Sequence, residues 1–210
     1  FEEALRRYKV PYVVVGGMQF YDRKEIKDCL SYLRVMANTH DEEALLRVIN
    51  VPPRGAGEAT VRKLAEHAAA AGIGLYAALG DLVRIADIKP TTKQALQNLF
   101  ALLEQWRARL AHDQPSIVAR GLWTEIDYRR ELEGGSLTLE QVNERLANAS
   151  ALLDSIVYYE RSAVQPSLDQ FLQQIALLNR DDEEELAKGR VAVMTIHAGK
   201  GLEFPFVYIV

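Results

Sequence analysis

A single cysteine, Cys29, stands in a chain of 210 residues. No intramolecular disulfide can form, and nothing in the cysteine count points to a zinc site or an oxidising compartment. Long apolar runs are missing as well: none approaches the roughly 20 residues of a membrane-spanning helix. The expectation is a cytoplasmic protein with no membrane partner. A secretory leader is also absent from the visible N-terminus. The chain starts at Phe1 inside a helical pattern and stops at Val210 inside an apolar run, and so reads as a piece of a longer protein. Excess positive charge is lacking too. The net charge of −4 argues against a uniformly basic nucleic-acid binder, since phosphate affinity comes mainly from Lys and Arg.

What is present is the balance of an ordinary globular protein, with 49% apolar and 26% charged residues, enough for one or two domains. Charge is uneven: residues 1–64 carry +2, residues 65–189 carry −7 and residues 190–210 carry +1. A polyanion site is therefore expected toward the two ends, although a normally solvated surface accounts for the same pattern.

The first forty residues read as helix, strand, helix. Phe1, Leu5 and Tyr8 share a face, "PYVVV" is short and β-branched, and Ile26, Leu30, Leu33 and Met36 recur at helical spacing. Gly16 and Gly17 are expected to end the strand. From Asp41 to about Asn179 strand signals vanish and amphipathic helices follow one another. Thr138 with Gln141, and Ser167 with Gln170, fit the reciprocal capping pattern, and Pro115 suits a first helical turn. "TTKQALQNLFALLEQWRARLAH" and "TLEQVNERLANASALLDSIVYYERS" are the long helices. The charge run "DDEEELAKG", residues 181–189, reads as a solvated linker or an exposed helix end, with the linker preferred. Strand character returns in "RVAVMTIH" and "FPFVYIV". An α/β start, a helical middle and an α/β end suggest one discontinuous domain interrupted by a helical insertion.

Two glycine constellations carry the candidate chemistry. A phosphate loop needs G-x-x-x-x-G-K-[ST]. In "TIHAGKGLEF" the residue five before Gly199 is Met194 and the residue after Lys200 is Gly201, so the pattern fails twice. The loop still offers Thr195, His197, Lys200 and Glu203, which suit a phosphate, a ribose or a polar turn without a ligand. In "VPPRGAGEATVRKL" a Gly-x-Gly turn leads into a helix beginning near Glu58, with outward amides and the positive end of a helix dipole behind them. Arg54, Arg62 and Lys63 add charge. A nucleic-acid backbone site of helix-hairpin-helix outline and a tight interhelical turn both fit.

Three stretches, in order, resemble the UvrD/PcrA/Rep family of superfamily 1 DNA helicases. "VVGGMQFYDRKEIKDCLSYLRVMAN" resembles its G-G-x-x-F-x-x-R-x-E-I-K-D segment, "RVINVPPRGAGEATVRKL" its N-x-P-x-R-G-I-G segment, and "VAVMTIHAGKGLEFPFVYIV" its motif V. Together they anchor nearly the whole chain. The resemblance implies a mainly α fold with flanking α/β, in which a helical insertion domain (40–187) interrupts a partial RecA-like P-loop NTPase-type motor domain (1–39 and 188–210).

It further implies an ATP-dependent 3'-to-5' helicase of repair or replication that translocates on single-stranded DNA and unwinds duplex, with ATP and Mg2+ as cofactors of the whole enzyme. DNA is the implied partner, alongside possible repair or replication proteins. Carried over by position, Glu203 and Gly201 serve the nucleotide; Thr195, His197 and Arg23 serve the single strand and coupling; and Arg54, Gly55, Ala56, Gly57 and Thr60 serve the duplex ahead of the fork. Phe20 is expected to pack rather than to stack on bases. Ala56 stands where the family has isoleucine, with its amide donors expected to stay available, and Gly199 replaces alanine or serine. A phosphate cradle, a magnesium-binding pair and a charge-stabilising arginine, the parts that phosphoryl transfer requires, do not occur in these residues. No catalytic or metal-binding residue and no tightly held cofactor is therefore expected here. A RecB-like helicase-nuclease subunit and a motor-free duplex-binding module are the alternatives. Trp106 and Trp123 are expected in a core rather than on a partner-binding surface.

Overall fold

Where the sequence offers a cap, a helix starts. Thr138 Oγ1 accepts the Gln141 amide at 3.2 Å and Gln141 Oε1 accepts the Thr138 amide at 2.9 Å, a reciprocal cap that opens α9, Leu139–Ser162. Pro115 occupies the first turn of α7, Pro115–Glu125, where its missing N–H costs no bond. The second expected reciprocal cap forms only by half. Ser167 Oγ accepts the Gln170 amide at 3.3 Å, but the Ser167 amide and the Gln170 side chain both bond to the Tyr159 hydroxyl instead. A buried tyrosine on the preceding helix outcompetes the local partner.

The computed structural model describes residues 2–15, 20–134, 136–184, 190–194, 196, 200–201 and 203–209. Among them the chain is mainly helical, as expected. It opens with α1, Glu2–Arg7, then β1, Tyr12–Val15, a 3-10 turn at Phe20–Asp22 and α2, Lys24–Ala37. The helices α3 (Glu42–Val48), α4 (Glu58–Ala71), α5 (Leu75–Gly80), α6 (Pro90–Arg109), α7, α8 (Tyr128–Glu133), α9 and α10 (Leu168–Glu184) follow. Strand β2, Val191–Met194, pairs in parallel with β1, in the register Tyr12 to Val191 through Val15 to Met194. Parallel neighbours need a crossover, and here the crossover holds α2 to α10. The glycines expected to end β1, Gly16 and Gly17, lie outside the described residues.

Three expectations need correction. "FPFVYIV" forms no strand over its described residues, 204–209. A strand must pair its backbone groups, and the sheet formed by the described residues consists of β1 and β2. The charge run begins as helix rather than linker, since α10 continues to Glu184; residues 185–189 lie outside the described residues. Tyr8 leaves the expected apolar face: α1 has ended before it, and the ring is exposed beneath the Arg7 guanidinium, 5.1 Å from its centroid. Phe1, on the same expected face, is outside the described residues.

The core centres on α2. Its expected stripe of Ile26, Leu30, Leu33 and Met36 is buried together with Cys29 on the same face, and so are Tyr32 and Val35 further round the helix, because α2 is flanked by α3, α6, α9 and α10. Each such side chain contributes about 1.5–3 kcal/mol when fully buried. Trp106 is buried and Trp123 half-buried on the same core, as expected. Trp106 fills the space left by Gly121, where a Cβ would stand 1.9 Å from the indole.

Two acids share this interior. Asp28 accepts Arg47 Nε at 2.8 Å, Lys24 Nζ at 3.0 Å and the Tyr128 hydroxyl at 3.3 Å. Glu25 accepts Asn148 Nδ2 at 2.7 Å and lies 3.8 Å from Arg145 Nε. Buried charge persists only when partnered in this way.

Candidate nucleic-acid interface

The turn between α3 and α4 is built from its own motif residues. Helix α3 ends at Val48 with carbonyls that lack intrahelical partners. Arg54 turns back over this end and the loop after it: its Nη1 donates to the carbonyls of Val48 at 3.0 Å, Ile49 at 3.4 Å and Pro52 at 3.2 Å, and its Nη2 donates to the Tyr32 hydroxyl at 2.9 Å. The Tyr32 hydroxyl in turn donates to the Val51 carbonyl. The Val51–Pro52 peptide is cis. Asn50 Oδ1 accepts two amides, Arg54 at 2.7 Å and Ala56 at 3.2 Å. Hence the Ala56 amide, expected to remain free for a ligand, is already consumed, and its methyl is buried.

On either side of Ala56 the backbone opens. Gly55 has φ +72, a left-handed conformation that glycine reaches without strain, and its carbonyl receives the Thr92 hydroxyl of α6 at 3.4 Å. Gly57 is the N-cap of α4, supplies no side-chain cap, and has open space where a Cβ would sit. The first-turn donors and dipole of α4 therefore face outward from a site that other atoms can approach closely. Thr60, half-buried, lies one turn in, its amide bonded to the Gly57 carbonyl at 2.9 Å. Arg62 is 71% exposed, with Glu66 at 3.7 Å. Lys63 is spent on the Asp87 carbonyl at 2.5 Å. Glu58, exposed in the first turn, sets a negative charge at the same mouth.

Arg23 occupies the other end of α2. Its Nη1 donates to Asn148 Oδ1 at 2.7 Å, its Nη2 to Glu2 Oε1 at 3.1 Å, and its guanidinium lies 5.8 Å from the Phe20 ring centroid. Phe20 is buried, in keeping with a packing role. Nine residues of helix separate Arg23 from Tyr32, about 14 Å along the axis, so Arg23 and the α3–α4 turn are distinct points on one helix.

The loop after β2 contributes Lys200 and Glu203, both exposed, and Gly201 at φ +84. Thr195 and His197 lie outside the described residues, as does Gly199. An exposed carboxylate such as Glu203 accepts hydroxyl donors, which suits a ribose and not a phosphate.

The structure thus gathers Arg54, Gly55, Ala56, Gly57 and Thr60 in one turn. Sequence reasoning missed Asn50, Tyr32, Thr92, Asn148 and Glu2. An Asn at a helix end before two prolines is itself a turn signal, whereas the other four act across 18 to 125 residues, and no local pattern marks them.

Residues 1–210 match the family described as UvrD-like helicase C-terminal domain. The chain is 38% identical over 214 aligned residues to the ATP-dependent DNA helicase PcrA of Staphylococcus aureus strain Mu50, covering 99% of this chain and 28% of that protein. It is 31% identical over 210 residues to a "Probable DNA helicase II homolog" of Rickettsia conorii, covering 100% of this chain and 31% of the relative. It therefore spans less than a third of the length of either relative. The described residues contain no helix long and apolar enough to cross a membrane. With its whole length matched, this chain belongs to the UvrD-like helicase C-terminal domain family, within the UvrD/PcrA-like superfamily 1 helicases.

Proposed function

We propose that this chain is the DNA-binding and coupling part of a cytoplasmic, ATP-dependent 3'-to-5' DNA helicase of the PcrA/UvrD type, acting in repair or replication. The α3–α4 turn carries the reading: a rigid loop whose exposed edge, at Gly57 and the first turn of α4, is shaped for close approach by a phosphate backbone. Such contacts position a duplex without reading its bases. Residues 40–187 form the inserted duplex-holding domain, and residues 1–39 with 188–210 form part of the second RecA-like motor domain.

In that arrangement Glu203 and Gly201 meet the nucleotide ribose, while Thr195, His197 and Arg23 lie along the single strand. ATP supplies the driving free energy and Mg2+ the charge neutralisation at its phosphates. The resemblance gives Glu203 the ribose alone, and the residues that grip the phosphates and Mg2+ are proposed to lie elsewhere in the enzyme.

The test is fluorescence anisotropy of a blunt DNA hairpin with this chain across a salt series. Salt-steep duplex binding is expected, with a slope lowered by about 0.9 for each phosphate contact removed. Arg62→Ala and Thr60→Ala should weaken it without unfolding the chain. Salt-insensitive or absent duplex binding would turn the reading toward a regulatory insertion.

A further inference from the structure

The guanidinium at Arg23 donates from both terminal nitrogens within an intramolecular arrangement that nothing in the proposed function uses. Arginine recognises a phosphate best through two parallel N–H bonds from its fork. At Arg23 both terminal nitrogens are taken, Nη1 by Asn148 and Nη2 by Glu2, and the side chain is only 28% exposed. The partners are themselves fixed. Glu2 Oε2 accepts the Phe20 amide at 3.1 Å. Asn148 donates its Nδ2 to the buried carboxylate of Glu25 at 2.7 Å. With its amide nitrogen aimed at a carboxylate, its oxygen has to face the cation. Glu2, Arg23, Asn148 and Glu25 thus form one line of alternating donors and acceptors, running from α1 past the N-cap of α2 to the middle of α9 and back to the first turn of α2.

We propose that this line is an autoinhibitory latch: Glu2 and Asn148 withhold Arg23 from nucleic acid, and a single-strand phosphate gains Arg23 only by displacing them. Displacement leaves Asn148 Oδ1 without its cation and Glu25 with less positive charge nearby, so occupancy of the strand site loosens the seat of α9 on α2. The proposal rests on the reading that Arg23 faces single-stranded DNA. Asn148 and Glu2 are positioning residues; neither touches the strand.

The experiment uses this chain and a fluorescein-labelled oligothymidylate, with anisotropy read at low and moderate salt. Glu2→Gln removes the competing charge, and Asn148→Leu removes the amide while keeping its bulk. Each is expected to tighten binding by about threefold, the scale of a partly exposed ion pair. In an Arg23→Ala background neither gain should survive. Hydrogen exchange at residues 146–150 of α9 should quicken when oligothymidylate binds the wild-type chain and stay constant in Arg23→Ala.

If Arg23→Ala binds the oligonucleotide as well as wild type, the single-strand placement of Arg23 fails and the latch fails with it. Should Arg23→Ala bind more weakly while Glu2→Gln and Asn148→Leu match the wild type, the placement stands and the latch is wrong. Weakened binding by both variants, with thermal unfolding unchanged, would mean that they present Arg23 to the strand instead of withholding it.

Discussion

Arg54 donates from Nη2 to the hydroxyl of Tyr32 at 2.9 Å, and that bond ties the α3–α4 turn to the middle of a helix buried on most of its sides. The arginine of the motif is thereby a structural group first: it closes the carbonyl end of α3 and holds the cis-proline loop.

Replacing it should therefore cost folding stability. Arg54→Ala is expected to lose about 2 kcal/mol in urea denaturation, the scale of hydrogen bonds to a charged donor. Arg54→Lys should recover little, because an ammonium cannot reproduce the planar fork. Wild-type stability in Arg54→Ala would show that the carbonyl contacts are incidental. Duplex binding by Arg54 variants is consequently interpretable only alongside their stability.

The two glycines of the turn should behave oppositely. Gly55→Ala forces a side chain into a left-handed conformation and within 2.7 Å of Thr92 Oγ1, and should cost about 1–2 kcal/mol. Gly57→Ala meets no atom within 4 Å and should cost less than about 1 kcal/mol. If Gly57→Ala is stable yet impaired on a DNA hairpin, close backbone approach is the function of that glycine.

Gly121→Ala is expected to destabilise by about 3 kcal/mol, since its Cβ would fall 1.9 Å from Trp106 Cη2 and overpacking of this kind outweighs the gain in helix propensity. Melting temperature together with a shift in tryptophan emission measures it.

Alkaline pH should unfold the chain through its buried tyrosines. Burial pushes the Tyr32 hydroxyl up to about 12, with Arg54 pulling the other way; burial raises Tyr76 and Tyr128 as well. An unfolded tyrosine ionises near 10. Above that value the unfolded chain sheds protons that the fold retains, so stability is complete below about pH 10 and falls as pH rises toward 12. Urea midpoints across that range should drop, and tyrosinate absorbance from these residues should emerge only with unfolding. Native-state ionisation near pH 10 would contradict it.

Burial likewise raises the Cys29 thiol well above its ordinary range, with Asp28 and Glu25 adding to the effect. A thiol reagent should leave Cys29 unmodified in the native chain and label it fully in denaturant. Rapid native labelling would place the residue outside the core.

Local signals carried the helices well. The cap at Thr138 and the proline at 115 each depend on residues within one turn, and both formed as read. Ser167 fits the same rule and forms only half of its cap, because Tyr159 competes from the preceding helix. "FPFVYIV" has strand composition, but pairing is a relation between segments and no composition supplies the partner. The position of the α3–α4 turn is legible in the sequence and its detail is not: an arginine in a basic motif reads as surface charge, and only geometry shows it facing three carbonyls. The burial of Glu25 and Asp28 is likewise invisible locally, since Arg47, Tyr128 and Asn148 come from distant parts of the sequence.

Those two carboxylates also constrain the order of assembly. Their partners enter the sequence 19 residues after Asp28 at Arg47, 100 after it at Tyr128, and 123 after Glu25 at Asn148. Loop closure over such separations is slow. Helix α2 cannot reach its final environment until α9 exists, and Glu25 must wait in solvent for Arg145 and Asn148, which are made much later.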